Sequence, residues 1–241
     1  MKPRRTSRRL ATAEADATAR FVEELERLPI AVHAEMANEQ HYEVPAAFYA
    51  AVLGPQRKYS SCYYDGPLVS LADAEERALA LTAEHARLVD GQSILELGCG
   101  WGSLSIWMAR AYPQSRIVAV SNSHSQRAFI MRKAADLHLE NLEVVTADMN
   151  EFAIDRRFDR IVSVEMFEHM ANWRQLLTRC RGWLEPSGRM FVHVFTHRTT
   201  PYRFDHADKQ DWIAQYFFTG GCMPSRSLIR AFPDVLEIES E

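Results

Sequence analysis

The chain has 241 residues, 47% of them hydrophobic and 25% charged, with a net charge of −4 and a pI of about 6.2. That length suffices for one sizeable core with an added lobe, and the charge balance excludes a global bias toward nucleic acid or an anionic membrane. No apolar run approaches the ~20 residues of a membrane span. Cys62, Cys99, Cys180 and Cys222 form no Cys-x-x-Cys pair, which argues against a zinc site or disulfide framework and points to a reducing cytoplasm.

The first residues are basic (Lys2, Arg4, Arg5, Arg8, Arg9) with no apolar stretch behind them, so they are not a secretory signal. A solvated start and a weak membrane-surface role are both open readings of that charge. From residue 11 to about 88 the apolar spacing is helical: Phe21, Leu25 and Leu28, then Phe48, Val52 and Leu53. Ser70, with Asp73 three residues on, is a good N-cap for a helix running through Ala78, Leu81, His85 and Leu88. Residues 58–64 (Lys-Tyr-Ser-Ser-Cys-Tyr-Tyr), bounded by Pro55 and Pro67, read as a loop. Strand and helix then alternate. Strands are expected at 93–97, 116–120, 142–146, 158–164 and 190–195. Helices are expected at 102–112, at 125–139 with Phe129, Ile130, Ala134 and Leu137 on one face, and at 173–184 with Leu176, Leu177, Cys180 and Leu184 on one stripe. Residues 211–228 read as a lobe laid over the sheet's active edge, and 235–238 as the start of one more strand. The alternation predicts an α/β fold of Rossmann-like type, a mostly parallel sheet with helices on both faces and an N-terminal helical lobe.

Glu96-Leu-Gly98-Cys-Gly100-Trp-Gly102 follows the first of these strands and opens a helix. In open α/β sheets ligands sit beyond the carboxyl ends of the strands, near such a turn, and glycines permit positive φ and close backbone approach. The Gly-x-Gly-x-Gly spacing differs from the Gly-x-Gly-x-x-Gly of dinucleotide binders. Glu96 on the strand suits a ligand with a cationic amino group rather than a pyrophosphate. A glycine-rich turn without a ligand is the plainer alternative. Asp148, with Met149 beside it, ends the third strand, where a carboxylate can accept an adenine exocyclic amine. The second strand ends in Val120-Ser121-Asn122-Ser123 and lacks the acidic residue that usually grips a ribose, so Asn122 or Gln126 must take that work.

Glu165, Glu168 and His169 follow the fourth strand directly. If a helical turn begins there they share one face at i, i+3 and i+4. The bland reading is a solvated helix start; the position at the sheet's carboxyl edge argues for chemistry instead. His193 lies inside an apolar run on the next strand, where a hydrogen-bonded core histidine and a functional one are both open. A metal reading of Glu-x-x-Glu-His lacks the second histidine of a zinc helix, so no metal is expected.

These residues resemble the cyclopropane-fatty-acyl-phospholipid synthase superfamily of methyltransferases, and within it the coclaurine N-methyltransferase branch. The resemblance rests on 40–45 (Gln-His-Tyr-Glu-Val-Pro), 58–64, 95–103, 165–170 and 211–225, and so covers most of the chain. It implies a class I fold and S-adenosyl-L-methionine as cofactor, with Tyr59 and Ser60 touching it from the N-terminal lobe and Gly98, Gly100, Gln126 and Asp148 lining its site. In the lipid branch a bicarbonate ion is held at places occupied here by Ser61, Glu168 and His193; Ser61 stands where that branch has a cysteine. Glu165 and the Phe-Phe-Thr-Gly-Gly run at 217–221 are features of the amine branch. The implied division is 1–88, an N-terminal helical extension with a cofactor-covering loop, and 89–241, the cofactor-binding domain with a partial substrate lobe at about 200–230. The family continues with a further strand pair and helices, so the C-terminal end looks truncated: a fragment, or a natural truncation with altered or no activity.

Three functions are set against one another. The first is N-methylation of a small amine, with Glu165 and His169 accepting or relaying the amine proton and Glu168 orienting them. The second is cyclopropane formation on an unsaturated phospholipid acyl chain. The third is a non-catalytic cofactor- or partner-binding protein. Trp101, Trp212, Tyr216 and Phe217 can form an aromatic substrate cage or fill the core, the core being the default. No nucleic-acid partner is expected, and the sequence does not speak to oligomeric state.

Overall fold

The computed structural model describes residues 4–32 and 46–241, with side chains from 14–32 and 47–241. The basic side chains near the start and the 40–45 motif lie outside the described residues. Two compact units are each assembled from separated stretches: one from Met1–Ala37, Glu165–Arg181 and Val194–Glu241, the other from Asn38–Val164 and Gly182–His193. Their boundaries differ from the division at residue 88 expected above.

The second unit holds the sheet. β1 (Ser93–Leu97), β2 (Arg116–Ser121), β3 (Leu142–Thr146), β4 (Phe158–Val164) and β5 (Leu184–His193) pair in parallel in the order β3-β2-β1-β4-β5. β1 and β2 are nearly continuous apolar runs because both faces are covered, as parallel sheets require. α4 (Ser103–Ala111) and α5 (His124–Asp136) make the crossovers from β1 to β2 and from β2 to β3. Two helices precede the sheet, α2 (Ala46–Val52) and α3 (Leu71–His85). Leu79, Ile94, Leu104, Met108, Ile117, Ile130, Val144 and Val162 form its buried core. The order reverses beside β1, which places the ligand-binding switch point beyond the C-terminal ends of β1 and its neighbours.

Several boundaries and faces shift from expectation. Ser70 caps α3 as predicted: its hydroxyl accepts the Asp73 N–H and donates to the Asp73 carboxylate at 2.6 Å. The buried residues of α3 are Ala74, Glu75, Ala78, Leu79 and Ala83. Phe48 and Val52, whose spacing predicts a helix, lie on α2 and are about half exposed. α5 starts earlier than predicted, at a Ser123 cap, and Leu137 lies past its last turn. β5 begins six residues before its predicted start: the Pro186-Ser187-Gly188 run, which reads as a turn, is absorbed in a shift of register, Phe158 opposing Leu184 but Arg160 opposing Arg189.

The first unit contains α1 (Arg4–Leu25), a 3-10 turn at Phe167–His169, most of α6 (Trp173–Trp183), the antiparallel ribbon of β6 (Tyr202–Arg203) and β7 (Cys222–Met223), α7 (Trp212–Tyr216), and a 3-10 turn at Leu228–Ala231. Leu25, Ile30, Phe167, Trp173, Leu176, Leu177, Cys180 and Leu228 are its buried centre. The start of α6 is stitched to the end of α1: Asn172 Nδ2 donates to the Glu26 and Leu28 carbonyls, and the Ala171 N–H to the Ile30 carbonyl. The strand expected at 235–238 does not form. Pro233-Asp234 bends the chain, and the Val235 and Leu236 N–H groups both turn back to the Phe232 carbonyl. Among the described residues no helix is long and apolar enough to cross a membrane.

Candidate functional site

The glycine loop is built by backbone that only glycine adopts cheaply. Gly98, Gly100 and Gly102 have φ of 80°, 52° and 78°. The N–H groups of Gly98 and Cys99 both donate to the Val120 carbonyl at 3.0 Å, anchoring the loop across β1 and β2. Tyr59 lies on it, since a Cβ at Gly100 would meet the Tyr59 ring at 3.2 Å. Tyr59 is set in turn by Tyr49, an edge-on neighbour at 5.3 Å, and its hydroxyl receives a hydrogen bond from Gln126 Nε2 at 3.4 Å. Gln126 is buried, with its Oε1 accepting the Ser121 hydroxyl at 2.6 Å. Tyr59 and Gln126, expected at the site on separate grounds, thus meet.

Three buried polar atoms around this loop have no hydrogen-bond partner: Trp101 Nε1, the Ser103 hydroxyl at the first turn of α4, and the Thr146 hydroxyl at the end of β3. Orphaned polar atoms at a sheet's carboxyl edge are what a polar ligand would satisfy. Asn122, just past β2, and Asp148, two residues past β3, are half-buried, and Met149 is buried. Asp148 Oδ1 accepts the Asn150 N–H at 2.8 Å, so one oxygen of the expected base-binding carboxylate shapes its own loop. Glu96 is nearly inaccessible and turns onto α4, where the Ser105 hydroxyl donates to it at 2.5 Å. Burial pushes its carboxyl up to about 7 against that hydrogen bond. Burial and then the Glu96 charge hold the Cys99 thiol well above its ordinary range. His193, the last residue of β5, is half-buried opposite Val164. Ser60 is half-buried, and Ser61 is exposed with a φ of 57°.

The acid–histidine cluster belongs to the first unit. The common helical face expected for Glu165, Glu168 and His169 does not form. Glu165 sits at φ 51°, in the left-handed region, and the turn that follows is a single 3-10 turn over Phe167–His169. A non-glycine residue held there is a strained position of the kind that gathers at functional sites. Glu168 is fully buried; its Oε1 accepts the Phe195 N–H at 2.8 Å and its Oε2 has no partner. Burial raises its carboxyl to about 7, opposed by hydrogen bonds from its own N–H and that of Phe195, and reinforced by the Glu165 charge. The His169 ring lies 4.7 Å from Phe218, which also meets Phe195 and Phe204. Gly221 must be glycine, because a Cβ would fall 2.1 Å from the Glu168 carbonyl oxygen. Of the four aromatics that can form a cage or fill the core, Trp101 is buried, while Trp212, Tyr216 and Phe217 are exposed.

Sequence reasoning missed Ser105 and Phe195 and met Phe218 only within the 217–221 run. Ser105 reaches Glu96 from the helix that follows the glycine loop, and Phe195 serves Glu168 through its backbone N–H, which no side-chain pattern marks.

The family model described as mycolic acid cyclopropane synthetase matches residues 31–237. The chain is 38% identical over 216 residues to (S)-coclaurine N-methyltransferase of Thalictrum flavum subsp. glaucum, covering 89% of this chain and 60% of that one. It is 33% identical to (S)-tetrahydroprotoberberine N-methyltransferase of Eschscholzia californica, covering 89% and 62%. Among solved structures, coclaurine N-methyltransferase bound to N-methylheliamine and SAH (S-adenosylhomocysteine) superposes with a TM-score of 0.89 at 31% identity, over 98% of this chain and 71% of that one. The chain thus spans about three fifths of the length of these two curated relatives.

Proposed function

Because the chain belongs to the mycolic acid cyclopropane synthetase family, we propose that it is an S-adenosylmethionine-dependent methyltransferase that N-methylates a small amine. The observation that carries the amine reading is Glu168: a fully buried carboxyl near pKa 7, pinned on one oxygen by the Phe195 N–H and unpartnered on the other, between Glu165 and His169 in sequence. The N-methyltransferase relatives support it.

When bound, S-adenosylmethionine supplies an electrophilic sulfonium methyl. Gly98, Gly100 and Gly102 with Tyr59 and Gln126 would hold it, and the orphaned Ser103 and Thr146 hydroxyls would give it hydrogen-bonding atoms. Ser60, Asn122, Asp148 and Met149 complete the binding set by position, with Glu96 behind the loop. An amine arrives mostly protonated at neutral pH and has no free lone pair. Glu165 draws the cation and, with His169, takes its proton. Glu168, fixed by Phe195, orients the pair; a carboxyl near 7 can hold or release a proton at working pH. His193 is assigned to the polar lining at the end of β5. The rest of the rate comes from holding the free amine in line with the methyl.

The test is transfer of labelled methyl from the cofactor to coclaurine and simpler secondary amines, run beside a lipid extract. Label is expected in the amine. Label confined to acyl chains, or none despite S-adenosylhomocysteine binding, overturns the reading. Glu165→Ala and His169→Ala should each lower turnover by roughly 10²–10⁴-fold, with S-adenosylhomocysteine affinity unchanged by calorimetry.

A further inference from the structure

Helix α3 carries a fully buried glutamate that the proposed chemistry does not use. Glu75 is 0% exposed on a helix whose buried stripe is otherwise apolar, and a buried carboxylate is costly unless its oxygens are satisfied. Both are: Oε2 accepts the Gln56 N–H at 2.9 Å and Oε1 the Lys58 N–H at 3.0 Å. The loop reaches them because residue 54 is glycine; a Cβ there would lie 2.4 Å from Glu75 Oε2. One residue earlier on the same helix, the Ala74 carbonyl accepts the Tyr63 N–H at 3.0 Å. α3 therefore grips the 56–63 segment at both ends, with Tyr59 and Ser60 between. Arg57 steadies the far side, its guanidinium 3.9 Å from the centre of the Phe129 ring of α5 and 5.8 Å from that of Trp101 in the glycine loop.

We propose that Glu75 is a positioning residue for the cofactor: its carboxylate clamps the backbone at Gln56 and Lys58 and so keeps Tyr59 seated on the glycine loop. The proposal rests on the cofactor reading above. Charge-assisted hydrogen bonds to backbone N–H groups are among the stronger neutral-partner contacts. Releasing them unseats Tyr59 in part of the population, and the apparent affinity of the ligand falls by that fraction.

Glu75→Ala, Glu75→Gln and Gly54→Ala are compared with the wild-type chain, each checked for folding by circular dichroism. Gly54→Ala displaces the carboxylate from the loop side and serves where Glu75→Ala fails to fold. Two readouts are used. Tryptic cleavage after Arg57 and Lys58, followed by mass spectrometry, reads the clamp without any ligand. Calorimetric titration with S-adenosylhomocysteine, together with steady-state kinetics, reads its service to the cofactor. The expected result is faster cleavage at both sites, affinity weakened roughly tenfold, a raised cofactor KM with kcat nearly kept, and an intermediate effect for Glu75→Gln, which retains one acceptor. Folded variants with wild-type cleavage and affinity overturn the proposal, as does faster cleavage with unchanged affinity. A wild-type chain that fails to bind S-adenosylhomocysteine overturns the cofactor reading itself, and is told apart because the loss then precedes any substitution.

Discussion

At the scale of single residues, the two raised carboxyls decide what can be tested. Glu96 is held near 7 by burial against the Ser105 hydrogen bond, so it is about half ionised at neutral pH before any ligand arrives. An ammonium group placed near it favours the carboxylate and drives the proton off. S-adenosylhomocysteine binding should therefore release a proton below pH 7, and affinity should rise with pH by up to about tenfold per unit before levelling above 7. Calorimetry in buffers of different ionisation enthalpy reads the proton directly. Glu96→Gln should bind without proton release and with a flatter pH profile; an unchanged profile would mean that Glu96 is not linked to the ligand. The Cys99 thiol does not compete in this range, because burial keeps it protonated. Glu96 was legible in the sequence as an acid before a glycine turn. Its charge state was not, since that depends on Ser105 nine residues on and on complete burial. Glu165, Glu168 and His169 were likewise legible as a cluster, while their geometry was not: three polar positions within five residues give no sign that Glu165 takes a left-handed φ.

At the scale of elements, strand positions and the glycine loop were readable because apolar runs and glycines act locally. What was not readable came from packing. Gly102 shows why. Its φ of 78° could be inferred from its place at the end of the loop, but its second constraint is the approach of α5: a Cβ would meet Ile130 Cγ1 at 2.6 Å. Gly102→Ala therefore combines a left-handed backbone cost of about 1–2 kcal/mol with overpacking of about 1–3 kcal/mol. Gly91 has a similar φ of 87° with nothing within 4 Å, so Gly91→Ala should cost the backbone part alone. Urea unfolding should show Gly102→Ala clearly worse than Gly91→Ala, and in an Ile130→Ala background, itself destabilised by the cavity it leaves, Gly102→Ala should add only about the backbone part of its loss. Equal losses at the two glycines would remove the packing argument. The same logic explains α3: its helical spacing was readable, while the burial of Glu75 was not, because the N–H groups that satisfy that carboxyl come from the loop at 56–58.

At the scale of the whole molecule, the two carboxyls tie stability to pH in an unusual direction. Glu96 belongs to the sheet unit and Glu168 to the other. Both are raised from an ordinary 4.5 to about 7 in the folded chain. Between these values the folded chain holds protons at both positions that the unfolded chain has already lost, so stability falls as pH rises. The contribution is complete below about 4.5 and gone above about 7. Each group adds a slope of at most roughly 1.4 kcal/mol per pH unit. Tm measured from pH 5 to pH 8 at fixed ionic strength should therefore decline less steeply in Glu96→Gln and in Glu168→Gln than in the wild-type chain. Parallel curves for all three proteins would show that neither carboxyl retains its proton on folding. Saturating S-adenosylhomocysteine separates the two groups: a ligand ammonium favours ionised Glu96 and should remove that part of the slope, leaving the Glu168 part, which remains until an amine supplies the missing partner for its free oxygen. A ligand that flattened both contributions together would mean that the two carboxyls respond as one coupled pair and not as separate sites for cofactor and acceptor.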